Sequence, residues 1–280
     1  MKKIIAAFDG LKFSDSTKDF AVQLAKQSSA HLVAVFLDDF TYHSYKIYDL
    51  IRENGQAFES ERNRLDKQDE KTRSAAVHNF ETACRDAGLE YTIHRDLNIA
   101  IQELIHESIY ADLLIINSEE TLTHYTEKKP TGFICDLLTY AHCPVLIVPT
   151  VFKPIDKLLF LYDGEPSSIY AVKMLNYTIA SLKQHPLEVL TINSEKQSLH
   201  LPDNRLMKEF MKKHFRDVTY NVLKGAPGTA IPNYLETQTG NPLIILGAYH
   251  RGKISMLLHE SMANTLMKDF NFPMFIAHNK

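Results

Sequence analysis

Five apolar segments recur in the same order in the two halves of this 280-residue chain, and no other feature constrains the fold as strongly. The first half opens on Lys3-Ile-Ile-Ala-Ala-Phe-Asp9-Gly10 and the second on Lys157-Leu-Leu-Phe-Leu-Tyr-Asp163-Gly164. Ser14-Asp15-Ser16 and Ser167-Ser168 follow, with side chains suited to capping the free amides of a helix start. Second strands are predicted at 31–37 and 187–192, and amphipathic third strands at 91–95 and 218–223. Short helices at 99–108 and 229–238 lead into the most apolar strands, 112–117 and 242–247, and strands at 143–148 and 272–277 close the halves. Continuous apolar strands alternating with amphipathic helices imply a parallel sheet covered on both faces. Right-handed crossovers then make each sheet doubly wound. The expected architecture is α/β, with two doubly wound five-stranded domains at 1–150 and 155–280.

The halves differ in the middle. A polar helical insertion is expected near 40–87 of the first half, where 58–83 reads as a long surface helix with a thin stripe at Leu65, Ala75, Val77 and Phe80. The aromatic run Tyr42-His-Ser-Tyr-Lys-Ile-Tyr48 before it reads as a partly packed loop, a lid or a dimer contact. Pro149-Thr-Val-Phe-Lys-Pro154 is a short linker with proline at both ends, which favours a stiff connection and a defined orientation of the halves.

Charge narrows the partners. A formal charge of -3 provides no basic field for nucleic acid or an anionic membrane. Lys212-Lys213-His214 reads as a solvated helix face. No stretch reaches the roughly 20 apolar residues of a membrane span. The apolar run that starts at Ile4 ends in Asp9-Gly10 before it attains the roughly seven residues of a signal core, so it reads as a buried strand. Cys84, Cys135 and Cys143 lack metal-ligand spacing and read as free thiols of a reducing compartment, which makes a cytoplasmic location the expectation.

In open parallel sheets, ligands bind beyond the carboxyl ends of the strands, near the reversal in strand order. That locus holds Asp9 and Asp163 after the first strands, and Asn117 and Gly247 at the ends of the fourth. Asp-Gly is also an ordinary turn pair that needs no ligand. Gly225-Ala-Pro227-Gly228 borders the same cleft, and backbone geometry explains it. The 13 histidines include no pair at helical metal-site spacing. There is no Gly-x-Ser-x-Gly elbow and no Walker-type loop, so no catalytic constellation and no metal site are specified.

The segment from Gly247 through His250, Arg251, Glu260 and Ser261 to Leu266, followed by Asn271-Phe-Pro273-Met-Phe-Ile276, resembles the end of a universal stress protein domain. In that family a glycine closes the fourth strand, a second glycine follows after two residues, and Gly-Ser or Gly-Thr opens the last helix. Cys143-Pro144-Val145 and the aspartate after the first strand are similar to the family's pattern as well. The resemblance spans both halves and implies an adenine nucleotide alpha hydrolase-like fold with strand order 3-2-1-4-5. It also implies that Asp163, Gly247, His250, Ser261 and Asp9 are the positions at which a nucleotide would be held.

The loops depart from that pattern. The second half retains Gly247 and Ser261 but has His250 for the middle glycine and Glu260 for the glycine before Ser261. A ring at the first position and a carboxylate at a helix start both work against phosphate, unless His250 or Arg251 pairs with the anion. In the first half Asn117 and Glu120 replace the two glycines, and the helix start falls at Pro130-Thr131 or Thr131-Gly132 depending on the direction of counting. The resemblance therefore implies a tandem, noncatalytic stress-response or regulatory protein with degraded nucleotide loops and no cofactor. The alternative is an ATP/AMP-binding switch with slow hydrolysis that uses the second half. Family likeness further implies intrachain pairing of the two last strands, which would cover two apolar edges. A homodimer and an unidentified protein partner stay open.

Overall fold

The computed structural model describes residues 2–37, 43–54, 57–96, 99–123, 125–193, 199–247 and 262–277. The first half runs β1 (Lys3–Phe8), α1 (Asp15–Ser28), β2 (His31–Leu37), α2 (Ile47–Asn54), α3 (Phe58–Ala87), β3 (Tyr91–Asp96), α4 (Ala100–Ser108), β4 (Leu113–Asn117), α5 (Gly132–Tyr140) and β5 (Val145–Val148). The second runs β6 (Lys157–Leu161), α6 (Pro166–Thr178), a 3-10 turn (Ala180–Gln184), β7 (Leu187–Asn193), α7 (Asn204–His214), β8 (Val218–Lys224), α8 (Pro227–Glu236), β9 (Pro242–Gly247), α9 (Met262–Asp269) and β10 (Met274–Ala277).

All ten strands form one sheet in the order β3-β2-β1-β4-β5-β10-β9-β6-β7-β8, so the expected order 3-2-1-4-5 occurs twice. The repeat holds residue by residue. Ile4 pairs with Leu113 and Leu158 with Leu243, which makes Asp9 and Asp163 equivalent. Leu114 pairs with Val145 and Ile244 with Met274, which makes Asn117 and Gly247 equivalent.

The last strands meet, as expected, and they do so antiparallel. Val145 pairs with Ile276, Leu146 with Phe275, and Ile147 with Met274. In the repeat register Leu146 and Phe275 are the same position, so a local pseudo-two-fold axis passes through that pair. Each strand covers what would otherwise be the other's open apolar edge. Because the pair is antiparallel, strands β1–β5 run opposite to β6–β10, and the carboxyl ends of the two halves lie at opposite ends of the sheet.

Side-chain alternation along the strands divides the core between the two faces. Ile4, Ala6 and Phe8 pack with Phe20 of α1, Phe80 of α3 and Met211 of α7, whereas Ile5 and Ala7 pack with Leu104 of α4, Leu137 of α5 and Leu266 of α9. Leu146 and Phe275 belong to the first face, and Val145, Ile147, Met274 and Ile276 to the second, so both cores run unbroken across the seam. The linker is clamped. The amide of Asn241 donates through Nδ2 to the carbonyls of Lys153 (2.7 Å) and Pro154 (3.3 Å), Ser16 Oγ donates to Pro149 O (2.6 Å), and Phe152 packs edge-on against Phe20 at 4.8 Å.

Three local expectations need correction. The buried stripe of α3 is Ala76, Phe80 and Cys84, with Asp69 nearer its start, while Ala75 faces solvent. The aromatic run is part helix, because α2 starts at Ile47, and only 43–46 is loop. That loop is tied to α3 by Tyr45 Oη donating to Asp66 Oδ1 (2.5 Å) and by the Ser44 amide donating to Asp69 Oδ2 (2.8 Å), while Tyr42 lies outside the described residues. Ser14 caps α1 as expected, accepting from the Thr17 amide at 3.2 Å. In α6 the cap position is Glu165, and Ser168 Oγ instead donates back to its carbonyl at 2.7 Å.

The central aromatic of the seam supplies a test. Phe275 is fully buried on the pseudo-axis, so Phe275→Ala should lower the unfolding free energy by about 3–5 kcal/mol. Urea unfolding of the full chain followed by circular dichroism measures it. An unchanged midpoint would mean that the seam contributes little to stability.

Candidate functional site

The carboxyl ends of β1 and β4 open into a cleft of about 740 Å³, lined among others by Ser14, Asn117, Glu120, Tyr125, Lys129 and Lys268. Lys268 comes from α9 of the second half, and Lys129 Nζ donates to Asn271 Oδ1 at 2.6 Å, so the seam forms one rim. This closeness follows from the antiparallel seam, which brings the start of β10 beside the end of β5.

The end of β1 and the loop after β4 hold two buried carboxyls. Asp9 is 1% exposed, and its Oδ1 accepts from the Leu11 amide at 2.7 Å. Glu120 is 8% exposed, and its Oε1 accepts from the amides of Thr121 (3.0 Å) and Leu122 (3.1 Å). Burial and then the neighbouring Asp9 charge push the Glu120 carboxyl up to about 7, against the pull of those two amides and of Lys12. The Glu120 carboxyl is therefore partly protonated near neutral pH.

Groups from within the chain cap the surrounding helix starts. Asn117 Nδ2 donates to Ser14 Oγ (3.1 Å) and its Oδ1 accepts from the Glu119 amide (2.8 Å), which ties the loop to the cap of α1. Thr131 is the cap of α5. Its Oγ1 donates to Glu120 O (2.5 Å) and accepts from the Ile134 amide (3.2 Å), which decides between the two registers. A carboxylate oxygen of Glu127 accepts from the Gly132 amide at 2.8 Å. An anion at a helix N-terminus is stabilised by the free amides and the helix dipole, and here the chain supplies that anion itself. Lys12 donates to Thr123 O, and Lys129 lies 3.7 Å from Glu119.

The equivalent end of the second half is built differently. Asp163 is exposed, and its Oδ1 accepts from the Glu165 amide at 2.9 Å, the same turn that Asp9 makes. Gly247 carries the closest backbone approach: a β-carbon there would lie 2.5 Å from Ser168 N and 2.6 Å from Ser168 Cα. The start of α6 thus rests on the end of β9, where the first half inserts the Asn117 side chain. Gly164, at φ +90, has Pro202 against it, and Tyr162 Oη donates to Pro202 O at 3.3 Å, so the chain after β7 covers part of this end. The structure brings Asp163 and Gly247 to one end of the sheet. His250 and Ser261 lie outside the described residues, as do Arg251 and Glu260.

Among the described residues no cluster of histidine, cysteine and carboxylate suits a metal ion, and no helix is long and apolar enough to cross a membrane. Burial, with Glu81 adding to it, pushes the Cys84 thiol up to about 12, and burial with Asp112 does the same at Cys143, so neither is a thiolate at neutral pH.

No family model matches the sequence, and neither does any curated protein. Solved structures do match. A universal stress protein from Archaeoglobus fulgidus superposes at a TM-score of 0.68 with 13% identity, covering 99% of this chain and 98% of that one. A functionally unknown protein from Pseudomonas aeruginosa superposes at 0.65 with 15% identity, over 99% of this chain and 92% of that one. A protein described as a putative universal stress protein, also from Pseudomonas aeruginosa, superposes at 0.61 with 16% identity, over 99% and 93%. The chain has the tandem universal stress protein fold.

Within that fold, sequence reading located the two strand-end positions but missed the pairing of Glu120 with Asp9 and the capping of α5 by Glu127. Each partner is visible in the sequence as a carboxylate. What joins them is a loop path that no periodicity encodes.

Two tests follow from this geometry. The folded state raises the Glu120 pKa above its unfolded value, so its contribution is fully present below the unfolded pKa and is lost as pH rises through about 7. Glu120→Gln keeps an acceptor for the two amides and removes the ionisation. It should make the protein more stable than wild type at pH 8, by on the order of 2–3 kcal/mol, with the gain shrinking toward pH 5. Thermal melts of both proteins across that range decide it, and parallel pH profiles would refute the paired burial. Separately, Gly247→Ala should lower the melting temperature, because α6 must move away from β9 to admit the methyl group. An unchanged melt would show that this contact yields freely.

Proposed function

We propose that this chain is a tandem universal stress protein that acts in a stress response as a noncatalytic regulator, through conformational change or partner binding. The observation that carries the reading is the Glu127 carboxylate on the Gly132 amide, in a half that also buries Asp9 and Glu120 at its strand ends. A nucleotide phosphate brought to the first-half loop would have to displace one carboxylate and approach two more, without a glycine that lets backbone amides close around it. Fold likeness to a protein named as a universal stress protein supports the stress-response part.

A second reading, an ATP/AMP-binding switch with slow hydrolysis in the second half, draws on one contrast: Asp163 is exposed where Asp9 is buried. In it Asp163 would hold the adenosine and the segment from Gly247 to Ser261 the phosphates. Titration calorimetry of the full chain with ATP and with AMP separates the two. The preferred reading expects no saturable heat with either nucleotide. Saturable binding of ATP that Asp163→Ala weakens by roughly tenfold or more, about 1.4 kcal/mol, would replace it with the switch. Asp163 is the better probe than Gly247, because its side chain is exposed, whereas Gly247 lies against the start of α6.

A further inference from the structure

The end of α7 gathers positive charge beside an open edge of the sheet. Lys212, Lys213 and His214 form its last turn, Phe215 turns inward, and Arg216 follows before β8 begins. With Val218 and Tyr220 of β8, these residues line a cleft of about 550 Å³. Basic residues in a last turn complement the helix dipole. That accounts for the two lysines but not for Arg216, which lies beyond the helix, nor for a concavity with a strand as its wall.

Charge distinguishes this edge from the opposite one. The chain is acidic overall, at -3, yet among the described residues none of Lys212, Lys213 and Arg216 has a carboxylate within ion-pair distance. At the opposite edge of the sheet the arginine of β3 is matched: Arg95 lies 3.4 Å from Glu70 of α3. Among the described residues the backbone of this edge is open as well, as it is at β3. The Leu187 amide donates to Asp217 O (2.9 Å) and the Gly225 amide donates to Asn193 O (3.0 Å), so the odd-numbered residues of β8 bond to β7. By alternation Val218, Tyr220 and Val222 direct both N–H and C=O to the outer side. Among the described residues β8 pairs with β7 alone.

We propose that this edge docks an acidic polypeptide segment in extended conformation, which adds as a strand along β8 and sets its carboxylates over Lys212, Lys213 and Arg216. An outer edge offering donors and acceptors in turn is matched by a peptide backbone, whereas a free phosphate uses donors only. The cations select acidic side chains on alternate residues, those that face the same side as Tyr220. Lys208, whose Nζ lies 5.5 Å from the centre of the Tyr220 ring, extends the positive field along the strand. Nothing in this docking depends on the nucleotide question, because it uses neither cleft at the strand ends.

Fluorescence anisotropy with a labelled peptide of alternating glutamate and threonine tests it on the full chain. The expected result is saturable binding that weakens as salt rises and falls by roughly tenfold, about 1.4 kcal/mol, in the double variant Lys213→Glu, Arg216→Glu. The same peptide with alternate amides N-methylated should bind roughly tenfold more weakly or worse. Circular dichroism shows whether the double variant is folded, and the N-methylated peptide tests the wild type whatever that shows. No binding, equal binding of both peptides, indifference of the folded variant, or binding of inorganic tripolyphosphate in place of peptide overturns the proposal.

Discussion

Everything in this molecule is arranged around three residue pairs. The antiparallel contact of Val145, Leu146 and Ile147 with Ile276, Phe275 and Met274 joins two five-stranded sheets into one of ten. An α/β half of this kind ends in a short strand of fully apolar residues, and such an edge invites pairing with any other chain. Fusing two copies lets each edge satisfy the other at no cost in association entropy. The same contact reverses the direction of the second half, and this decides where function can lie. The strand ends of the two halves face opposite ends of the sheet, and the first cleft has the other half's last helix at its rim, as Lys268 shows.

Duplication also frees the copies to diverge, and the equivalent positions show how. Asn117 and Gly247 occupy one register position. Glycine lets the start of α6 settle directly on β9, and asparagine holds α1 off through a hydrogen bond to Ser14. Asp9 and Asp163 make the same turn to the amide two residues on. Asp9 is then buried against a second carboxylate, whereas Asp163 stays at the surface. In the first half several of the groups that would neutralise a phosphate are engaged internally: Lys12 with a carbonyl, Lys129 with Asn271 and Glu119, and the amide of Gly132 with Glu127, although Lys128 and Lys268 also line the cleft. Both departures keep the fold because they exchange one local hydrogen-bonding solution for another.

The strands were readable because their signal is local. A run such as Leu113 to Ile116 is apolar at every position, and only burial on both faces rewards that pattern. Helix starts were readable where one side chain does the capping, as at Ser14, and misread at α6, where Glu165 holds the cap position and the Ser168 amide donates to its backbone carbonyl. The stripe of α3 was displaced by one residue, from Ala75 to Ala76, because over thirty residues a thin apolar pattern tolerates more than one facing, and contact with α1 chooses among them. Lys212, Lys213 and His214 read as a solvated helix face, because Arg216 and the edge of β8 join them only once the sheet is assembled.

Sequence alone determined the class of fold, the order of strands within each half, the pairing of the last strands and the positions Asp9, Asp163, Asn117 and Gly247 at the strand ends. The class of fold and the strand-end positions follow from periodicity and repetition, which act over short stretches of chain. The order of strands and the pairing of the last ones follow from the resemblance to universal stress proteins. The tertiary structure decided what those positions do: that Asp9 shares its burial with Glu120, that Glu127 takes the amide of Gly132, and that Gly247 is required by Ser168. These contacts join residues from different elements, and their energies come from burial, charge and close approach. None of the three is defined until the elements have packed.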